Sequence, residues 1–188
     1  VAARSRTDGK ANPNAQVTGD FDPDDLLADT YLADPLRKHD CAPITDGAAA
    51  VILAAGDRAR ELSERPAWIT GIGHRVDSAN LGGRDLTKSP STVAAARDAG
   101  FTGVDVAELH APFTHQEILL RQELGLNGTR INPSGGVLCG NPMFAAGLIR
   151  IGEAARQVST GQADRALAHA TSGPALQQNL VCVMEGRD

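Results

Sequence analysis

Three segments of the sequence combine polar side chains with glycine or proline, a mixture that suits contact with a bound ligand. They are His110–Phe113, Asn132–Pro142 and Ser172–Asn179. Glycine lets a backbone approach a ligand closely and present its N–H groups to it. His110 carries an imidazole that can transfer a proton, and Cys139 carries a thiol that can act as a nucleophile or an acid. Asn141 carries an amide that donates hydrogen bonds but does not titrate.

Each of these three side chains also has a purely structural interpretation. His110 can be a satisfied histidine at the end of a strand, and Cys139 can be a small buried residue of the core. Asn141 precedes a proline, and an asparagine in that position is a good N-cap for a helix. The residues alone leave both interpretations open.

The spacing of apolar residues predicts the elements that position these segments. Five strands are expected, at Ala48–Ala55, Ala67–Gly73, Val104–Leu109, Arg165–Thr171 and Asn179–Met184. Helices are expected to begin near Ser89, Thr114 and Pro142, the last with Phe144, Leu148 and Ile151 facing the core. Alternating strands and helices favour an α/β fold with a mostly parallel sheet covered by helices. The link between the last two strands is too short for a crossover, so this pair should be antiparallel.

The amino-terminal region has a different composition. Residues 1–39 are rich in Asp, Asn, Pro and Gly, which predicts an extended arm or loop region followed by an α/β domain over residues 40–188. Ligands of open α/β sheets bind at the carboxyl ends of the strands, so the three candidate segments should meet at one edge. His110 and Asn141 should approach each other there, near the loop Ser172–Gln178.

Composition excludes several classes of partner. The net charge of −5 argues against a nucleic-acid surface, which needs a basic stripe. No apolar run approaches the ~18 residues that span a bilayer, so no membrane span is expected. His39 and Cys41 are close in sequence, but nothing completes a ligand set, so no metal site is expected.

The cysteines indicate the compartment. The three cysteines form no C-x-x-C pair, which argues against a disulfide framework and favours a reducing cytoplasm. Cys182 lies within the last predicted strand and is expected to be a core residue. The chain begins at Val1 rather than at methionine, which indicates a processed or partial chain.

Four motifs together resemble the C-terminal half of the thiolase superfamily. They are Asp40–Ala50, Val106–Phe113, the loop Asn132–Gly136 followed by Gly140-Asn-Pro142, and Gln177–Asn179. They occur in the family's order and with nearly its spacing, from about Asp34 to Glu185. The His110 and Gln177 loops are most similar to the sterol-carrier-protein-type branch, which includes lipid-transfer and acetyl-CoA acetyltransferase proteins.

This resemblance implies a fold of two similar halves, acyl-CoA substrates and a nucleophilic cysteine in the N-terminal half, which is missing here. Coenzyme A would enter as a thioester substrate, with no bound cofactor. His110 matches the family's oxyanion-hole position, whose donors meet the charge that develops on a thioester oxygen. Asn141 stands where thiolases have the histidine that activates the nucleophile. The second catalytic cysteine is also absent: Pro112 stands where the sterol-carrier-protein branch carries a cysteine, and the last loop has none.

The resemblance also implies residues that contact substrate. Ala42 and Pro43 match a position beside the pantetheine arm. Phe113, Gly140 and Gly173 lie in the other matching loops. Cys139, in a loop one residue shorter than usual, is a candidate for a displaced nucleophile or acid.

Three functions remain open from the sequence. One is acyl transfer or carbon–carbon bond cleavage on an acyl-CoA, by a thiolase or a CoA-dependent retro-aldolase of lipid or sterol metabolism. The others are a non-catalytic carrier of acyl-CoA or lipid, and a structural subunit that supports a catalytic partner. The expected partners are an acyl-CoA or sterol-CoA-like substrate and the missing N-terminal half, within a homodimer or hetero-oligomer. This chain alone is expected to be inactive.

Overall fold

A computed structural model describes residues 1–186 of the chain. The helices are α1 Ala2–Gly9, α2 Pro23–Ala28, α3 Gly56–Leu62, α4 Pro90–Asp98, α5 Thr114–Glu123 and α6 Ala146–Ser159. The strands are β1 Tyr31–Ala33, β2 Leu36–Arg37, β3 Ala67–Val76, β4 Val106–Leu109, β5 Arg130–Ile131, β6 Arg165–Ser172 and β7 Gln178–Gly186. Within these described residues, no helix is both long enough and apolar enough to cross a bilayer.

Five of the strands form one mixed sheet in the order β3-β7-β6-β4-β5. β4 is parallel to both of its neighbours, β5 and β6, whereas β7 is antiparallel to β6 and to β3. The predicted α/β fold, with a five-stranded sheet that ends in an antiparallel pair, is confirmed. The predominance of parallel strands is weaker than expected, because the parallel and antiparallel pairings are equal in number.

The first predicted strand is wrong. Residues 48–55 form no strand, and the sheet is completed by the two-residue β5. An uninterrupted apolar run is typical of a strand buried on both faces, but here Ile52 is 91% exposed and Leu53 is 78% exposed. A strand requires a neighbouring backbone, and no residue of the described chain pairs with this segment. The segment therefore has the sequence of a buried strand but no pairing partner.

Helices cover both faces of the sheet. On one face α4 and α5 pack on the larger apolar core, which includes Ala95, Leu109, Leu120, Leu167 and Val181. On the other face α6 packs through Ala154 and Val158 against Val106, Ala166 and Ala168. Gly71 and Gly73 in β3 permit close packing of α4, because a Cβ at either position would lie 2.0 Å from a backbone oxygen of that helix or its end. These glycines serve helix packing.

The prediction of which residues of the last helix face the core is partly wrong. α6 begins at Ala146, and residues 142–145 form a turn in which the Ala145 N–H donates to the Pro142 carbonyl at 2.7 Å. Phe144 therefore precedes the helix, and its side chain is fully exposed, contrary to expectation. Leu148 and Ile151 are half-buried. The buried face of α6 is formed instead by residues further along the helix, Arg150, Ala154, Gln157 and Val158.

The amino-terminal region contains more regular structure than its composition predicts. Two helices, α1 and α2, and the hairpin of β1 and β2 lie within residues 1–39. α1 packs on the Asn132–Gly136 loop, where the Ser5 hydroxyl donates to the Gly135 carbonyl and is buried. The domain division after residue 39 stays a prediction.

A buried ion pair joins the sheet to α6. Arg150 Nη1 lies 2.5 Å from Glu108 Oε2, and both side chains are almost fully buried. Ser134 donates to the same carboxylate from its backbone N–H at 3.0 Å and from its hydroxyl at 2.7 Å. Burial raises the pKa of Glu108, while Arg150 and the two Ser134 donors oppose that rise. The pair thus ties β4, the Asn132–Gly136 loop and α6 together.

Replacing Arg150 tests how much this pair contributes to stability. Arg150→Met would leave the Glu108 carboxylate buried without its cation, which should lower the free energy of unfolding by about 3–5 kcal/mol. Arg156→Met is the matched control, because Arg156 pairs with Glu153 on the same helix at a more exposed position and should cost under about 1 kcal/mol. Chemical denaturation measures both. Equal losses would contradict a special role for the buried pair.

Candidate active site

The segments that follow β4 and β5 meet at the carboxyl edge of the sheet, beside the end of β6. The approach of the His110 and Asn141 side chains stays a prediction. The Asn132 N–H, just after β5, donates to the Ala107 carbonyl of β4 at 2.9 Å. The Asn132 side chain accepts from the Leu109 N–H at 2.6 Å, and the His110 N–H donates to the His169 carbonyl of β6 at 3.2 Å. The ends of three neighbouring parallel strands therefore supply the site.

The imidazole of His110 is held in one tautomer and one protonation state. Its imidazole is buried, and its Nδ1 accepts a hydrogen bond from the Thr171 N–H at 3.3 Å. A backbone N–H can only donate, so Nδ1 carries no proton and the neutral ring carries its proton on Nε2. Burial lowers the pKa of His110 to about 4, and the positive charges on His169, when protonated, and on Arg150 add to that effect. His110 is thus a neutral hydrogen-bond donor through Nε2–H at physiological pH.

Asn141 has an unused polar atom. Its side chain is buried, and its Oδ1 has no hydrogen-bond partner among the described residues. Buried amides are normally satisfied, so an unpaired one indicates a missing partner. The alternative interpretation as a helix cap is wrong, because α6 begins at Ala146 with Ala145 as its N-cap. The Asn141 Oδ1 is therefore free to accept a hydrogen bond from a ligand, whereas donation to a ligand would have to come from Nδ2.

Thr45 is a candidate that the sequence analysis missed. Its N–H donates to the Asn141 carbonyl at 3.3 Å, and its hydroxyl is a second buried polar atom without a partner in the described part of the chain. The only sequence signal is its position within the Asp40–Ala50 motif. Within residues 1–186, the Asn141 Oδ1 and the Thr45 hydroxyl are thus two unpaired polar atoms on residues that one backbone hydrogen bond joins.

The segment before Thr45 links the His110 loop to the Asn141 loop. The Ala42 N–H donates to the Pro112 carbonyl at 2.8 Å, and Cys41 forms an antiparallel bridge with Phe113. Three residues later, Thr45 reaches the Asn141 carbonyl. Both loops are therefore fastened to the same short strip of backbone, although no hydrogen bond joins the side chains of His110 and Asn141 within the described residues.

Comparison with known proteins gives a consistent set of relatives, although no family model matches the chain. The chain is 32% identical over 184 residues to the acetyl-CoA acetyltransferase of Methanothermobacter thermautotrophicus, an alignment that covers 84% of this chain and 48% of that protein. It is 26% identical to the benzoylsuccinyl-CoA thiolase subunit BbsB of Thauera aromatica, with the same two coverages of 84% and 48%. It is 27% identical to sterol carrier protein 2 of Gallus gallus, covering 90% of this chain and 38% of that protein.

The chain belongs to the thiolase superfamily. The resemblance inferred from its motifs is confirmed. The chain spans about half the length of the first relatives, 48% of each.

Cys139 does not face the other candidate residues of this thiolase-like site. It is fully buried in the short helix Val137–Cys139, and its thiol donates to the Ser5 carbonyl of α1 at 3.2 Å. Burial raises the pKa of the Cys139 thiol, which lowers the thiolate fraction that a nucleophile needs. This geometry favours the structural interpretation of Cys139.

The expected substrate contacts line the same edge. Ala42, Pro43, Phe113 and Gly140 are half-buried on the loops around His110 and Asn141, and Gly173 is exposed in the loop after β6. Their contacts with a thioester stay predictions, because they depend on a bound substrate.

The side chains of the remaining titratable and metal-ligating candidates form no hydrogen bond with the side chains of His110 or Asn141 within residues 1–186, although His115 stacks on Phe113. Cys182 is buried in the core of β7, and His115 is exposed at the start of α5. His169 is fully buried and bonds through Nε2 to Asn179 Oδ1 at 2.9 Å. Within residues 1–186, no three metal-ligating side chains cluster in a way that could hold an ion. All three cysteines are unpaired.

The burial of His110 and His169 predicts a pH-dependent stability. Both have a pKa lowered to about 4 from the ordinary 6.5, because burial disfavours the charged ring. Below pH 6.5 the unfolded chain binds protons that the folded chain does not, so stability is complete above that pH and decreases as the pH falls toward about 4. Between pH 7 and 5 each histidine should account for roughly 2 kcal/mol of the loss.

Unfolding measured across this range, together with a histidine NMR titration, checks the prediction. The ring of His110 should stay neutral down to about pH 5. The variant His110→Asn should show a shallower pH dependence, with the part due to His169 remaining. An NMR titration of His110 with a midpoint near 6.5 would contradict the assignment of a neutral donor.

Proposed function

We propose that this chain is the C-terminal half of a thiolase-like protein that processes acyl-CoA, and that His110 and Asn141 donate hydrogen bonds to the thioester carbonyl oxygen. The observation that carries the proposal is the neutral Nε2–H donor of His110 at the carboxyl edge of the sheet. The Asn141 Nδ2 would be the second donor. The named activities of the relatives, acetyl-CoA acetyltransferase and benzoylsuccinyl-CoA thiolase, support a thioester as the ligand.

These donors suit chemistry that passes through an enolate. Forming or breaking a bond at the carbon beside a thioester moves negative charge onto the carbonyl oxygen. Fixed donors aimed at that oxygen stabilise the charge, and they act more strongly in a site that excludes water. His110 keeps its Nε2–H over the whole pH range in which it is neutral, so its contribution does not depend on a titration near pH 7.

The site supplies donors but no general base. Asn141 does not titrate, and the thiol of Cys139 faces α1 with a raised pKa. The nucleophile and the base must therefore come from outside this set, in our proposal from the N-terminal half. Carbon–carbon bond cleavage of the retro-aldol type is favoured over thiolysis, because it needs no thiolate: an outside base takes the hydroxyl proton, the C–C bond breaks, and the enolate that leaves is held by the donors.

A non-catalytic carrier is the second candidate. A site with hydrogen-bond donors and no base is sufficient for binding an acyl-CoA, and sterol carrier protein 2 is among the relatives. A carrier would bind acyl-CoA without turnover, whereas an enzyme would convert it. If no acyl-CoA bound, only the third function, a structural subunit, would remain.

Calorimetry with acetoacetyl-CoA, beside a thiolysis assay, tests the proposal on the complete protein. Binding with slow or no thiolysis is expected. His110→Ala and Asn141→Ala should each weaken binding roughly 5- to 10-fold, the equivalent of about one hydrogen bond. The control His74→Ala changes an exposed imidazole on β3 and should leave binding within about 2-fold of the parent.

Asn141→His provides a gain-of-function arm. Restoring a base at this position should raise thiolysis by about 10²–10⁴-fold if a nucleophilic cysteine is supplied elsewhere. Brisk thiolysis by the unmodified protein would show that Asn141 is no handicap, and the proposal would then fail.

The exposed apolar surface supports a partner for this chain. Residues 50–54, α3, β3 and α6 border an open groove of about 800 Å³. Ile52 and Leu53 border this groove and are largely exposed. Phe144, beside the candidate site, is fully exposed. Monomeric proteins seldom expose contiguous apolar patches of this kind. We assign this surface to the contact with the N-terminal half, within a homodimer or hetero-oligomer.

Light scattering on the full chain checks this assignment. The chain alone should associate as its concentration rises, because the groove stays uncovered. The double variant Ile52→Asn and Leu53→Asn should reduce that association, whereas Leu27→Asn, on the exposed helix α2, should not. A monodisperse monomer at high concentration would count against an uncovered contact surface.

A further inference from the structure

The loop between β6 and β7 has an unusual backbone. Ala175 and Leu176 are consecutive residues with φ angles of 51° and 55°, in the left-handed region that non-glycine residues seldom adopt. Such residues persist only where the surrounding structure holds them, and they concentrate near functional sites. The loop begins directly after the strand residues that contact His110.

Four consecutive carbonyls of this loop accept hydrogen bonds from outside it. Arg84 donates to the Pro174 carbonyl at 3.1 Å and to the Ala175 carbonyl at 2.6 Å. Asn179 Nδ2 donates to the Leu176 carbonyl at 2.7 Å, and the Asp77 N–H donates to the Gln177 carbonyl at 2.8 Å. The loop is therefore clamped along its whole length.

The donors of this clamp are themselves connected. Asn179 Nδ2 also donates to Ser91 Oγ at 2.7 Å, and the Ser91 hydroxyl donates to Asp77 Oδ2 at 2.6 Å. The same Asp77 oxygen lies 3.9 Å from Arg84, whose side chain is 8% exposed. One network thus joins α4, the segment after β3 and the loop.

The network also fixes the state of His169. The Leu176 carbonyl can only accept, so the orientation of the Asn179 amide is settled and its Oδ1 faces His169. His169 Nε2 therefore carries the proton, and its Nδ1 is a bare, buried acceptor without a partner in the described chain. The hydrogen bond to Asn179 and the place of His169 within β6 therefore fix the tautomer and orientation of its ring.

Both contacts of His110 come from the strand that leads into this loop. The His110 N–H donates to the His169 carbonyl at 3.2 Å, and His110 Nδ1 accepts from the Thr171 N–H at 3.3 Å. Thr171 lies two residues before Gly173, where the loop turns. Thr171 pairs with Asn179 across β6 and β7. A shift of the loop together with Asn179 would move the Thr171 N–H away from the imidazole, and Nδ1 would then be free to carry the proton.

We propose that Arg84 and Asn179 are positioning residues that clamp the loop of residues 173–177, keep the Thr171 N–H on His110 Nδ1, and so hold His110 in the tautomer that presents Nε2–H. This inference deepens the proposed function and rests on it for the role of His110. The tautomer itself does not depend on any ligand.

NMR of ¹⁵N-labelled histidine in the full chain tests the clamp. The parent should show His110 with its proton on Nε2 alone. Arg84→Met removes the donors to Pro174 and Ala175, and Asn179→Asp removes the donor to Leu176 at constant size. Each variant should show a second population of His110 with its proton on Nδ1.

Arg130→Met is the matched control, because Arg130 donates to the Gln162 carbonyl at 2.9 Å, near the opposite edge of the sheet. It should keep the single tautomer. Arg84 is on a connecting segment outside the helices and strands, so Arg84→Met should fold. A single Nε2–H tautomer in folded Arg84→Met would overturn the proposal, whatever Asn179→Asp does.

Calorimetry with acetoacetyl-CoA on the complete protein separates this inference from the proposed function. Arg84→Met should weaken binding by up to about 10-fold, the effect of misplacing one donor. If the parent binds no CoA ester but the tautomer shifts as expected, the proposed function fails and the clamp stands. If binding occurs and Arg84→Met leaves both binding and tautomer unchanged, the clamp fails alone.

Discussion

The ion pair between Glu108 and Arg150 connects β4, the Asn132–Gly136 loop and α6 beside the site. Glu108 lies in β4, two residues before His110, and Arg150 lies in α6, shortly after the turn that follows Asn141. Ser134 completes the carboxylate's contacts from the loop between them. Burying two charges is unfavourable unless they are paired and hydrogen-bonded, so these three residues favour one common geometry. That geometry fixes the end of β4, from which His110 follows, relative to the start of α6.

The features that the sequence predicted best are those with a local cause. Strand β4 was predicted from a short segment with valine and leucine that ends before His110 and Pro112. The closing antiparallel pair was predicted from a short link. The role of Gly71 and Gly73 could not be found from spacing alone, because it depends on α4 lying against β3. Thr45 was missed for the same reason, since its importance comes from the distant Asn141.

The incorrect predictions share a different cause. Residues 48–55 have the composition of a buried strand, but a strand also needs a neighbour, and composition carries no information about whether one is present. Phe144 fits the spacing of a helical core face, but the turn after Pro142 delays the helix to Ala146. The same delay leaves Asn141 without a capping role, so its amide remains unsatisfied. Because α6 begins one turn later than predicted, Phe144 is not a core residue and Asn141 is not a helix cap.

The exposed segment of residues 48–55 has a consequence for handling the protein. It contains eight successive residues without charge or proline, three of them Val51, Ile52 and Leu53. Short segments of this composition, left extended and unpaired, can stack with identical copies into cross-β aggregates. Covering this segment should therefore reduce the tendency of the chain to stack with copies of itself.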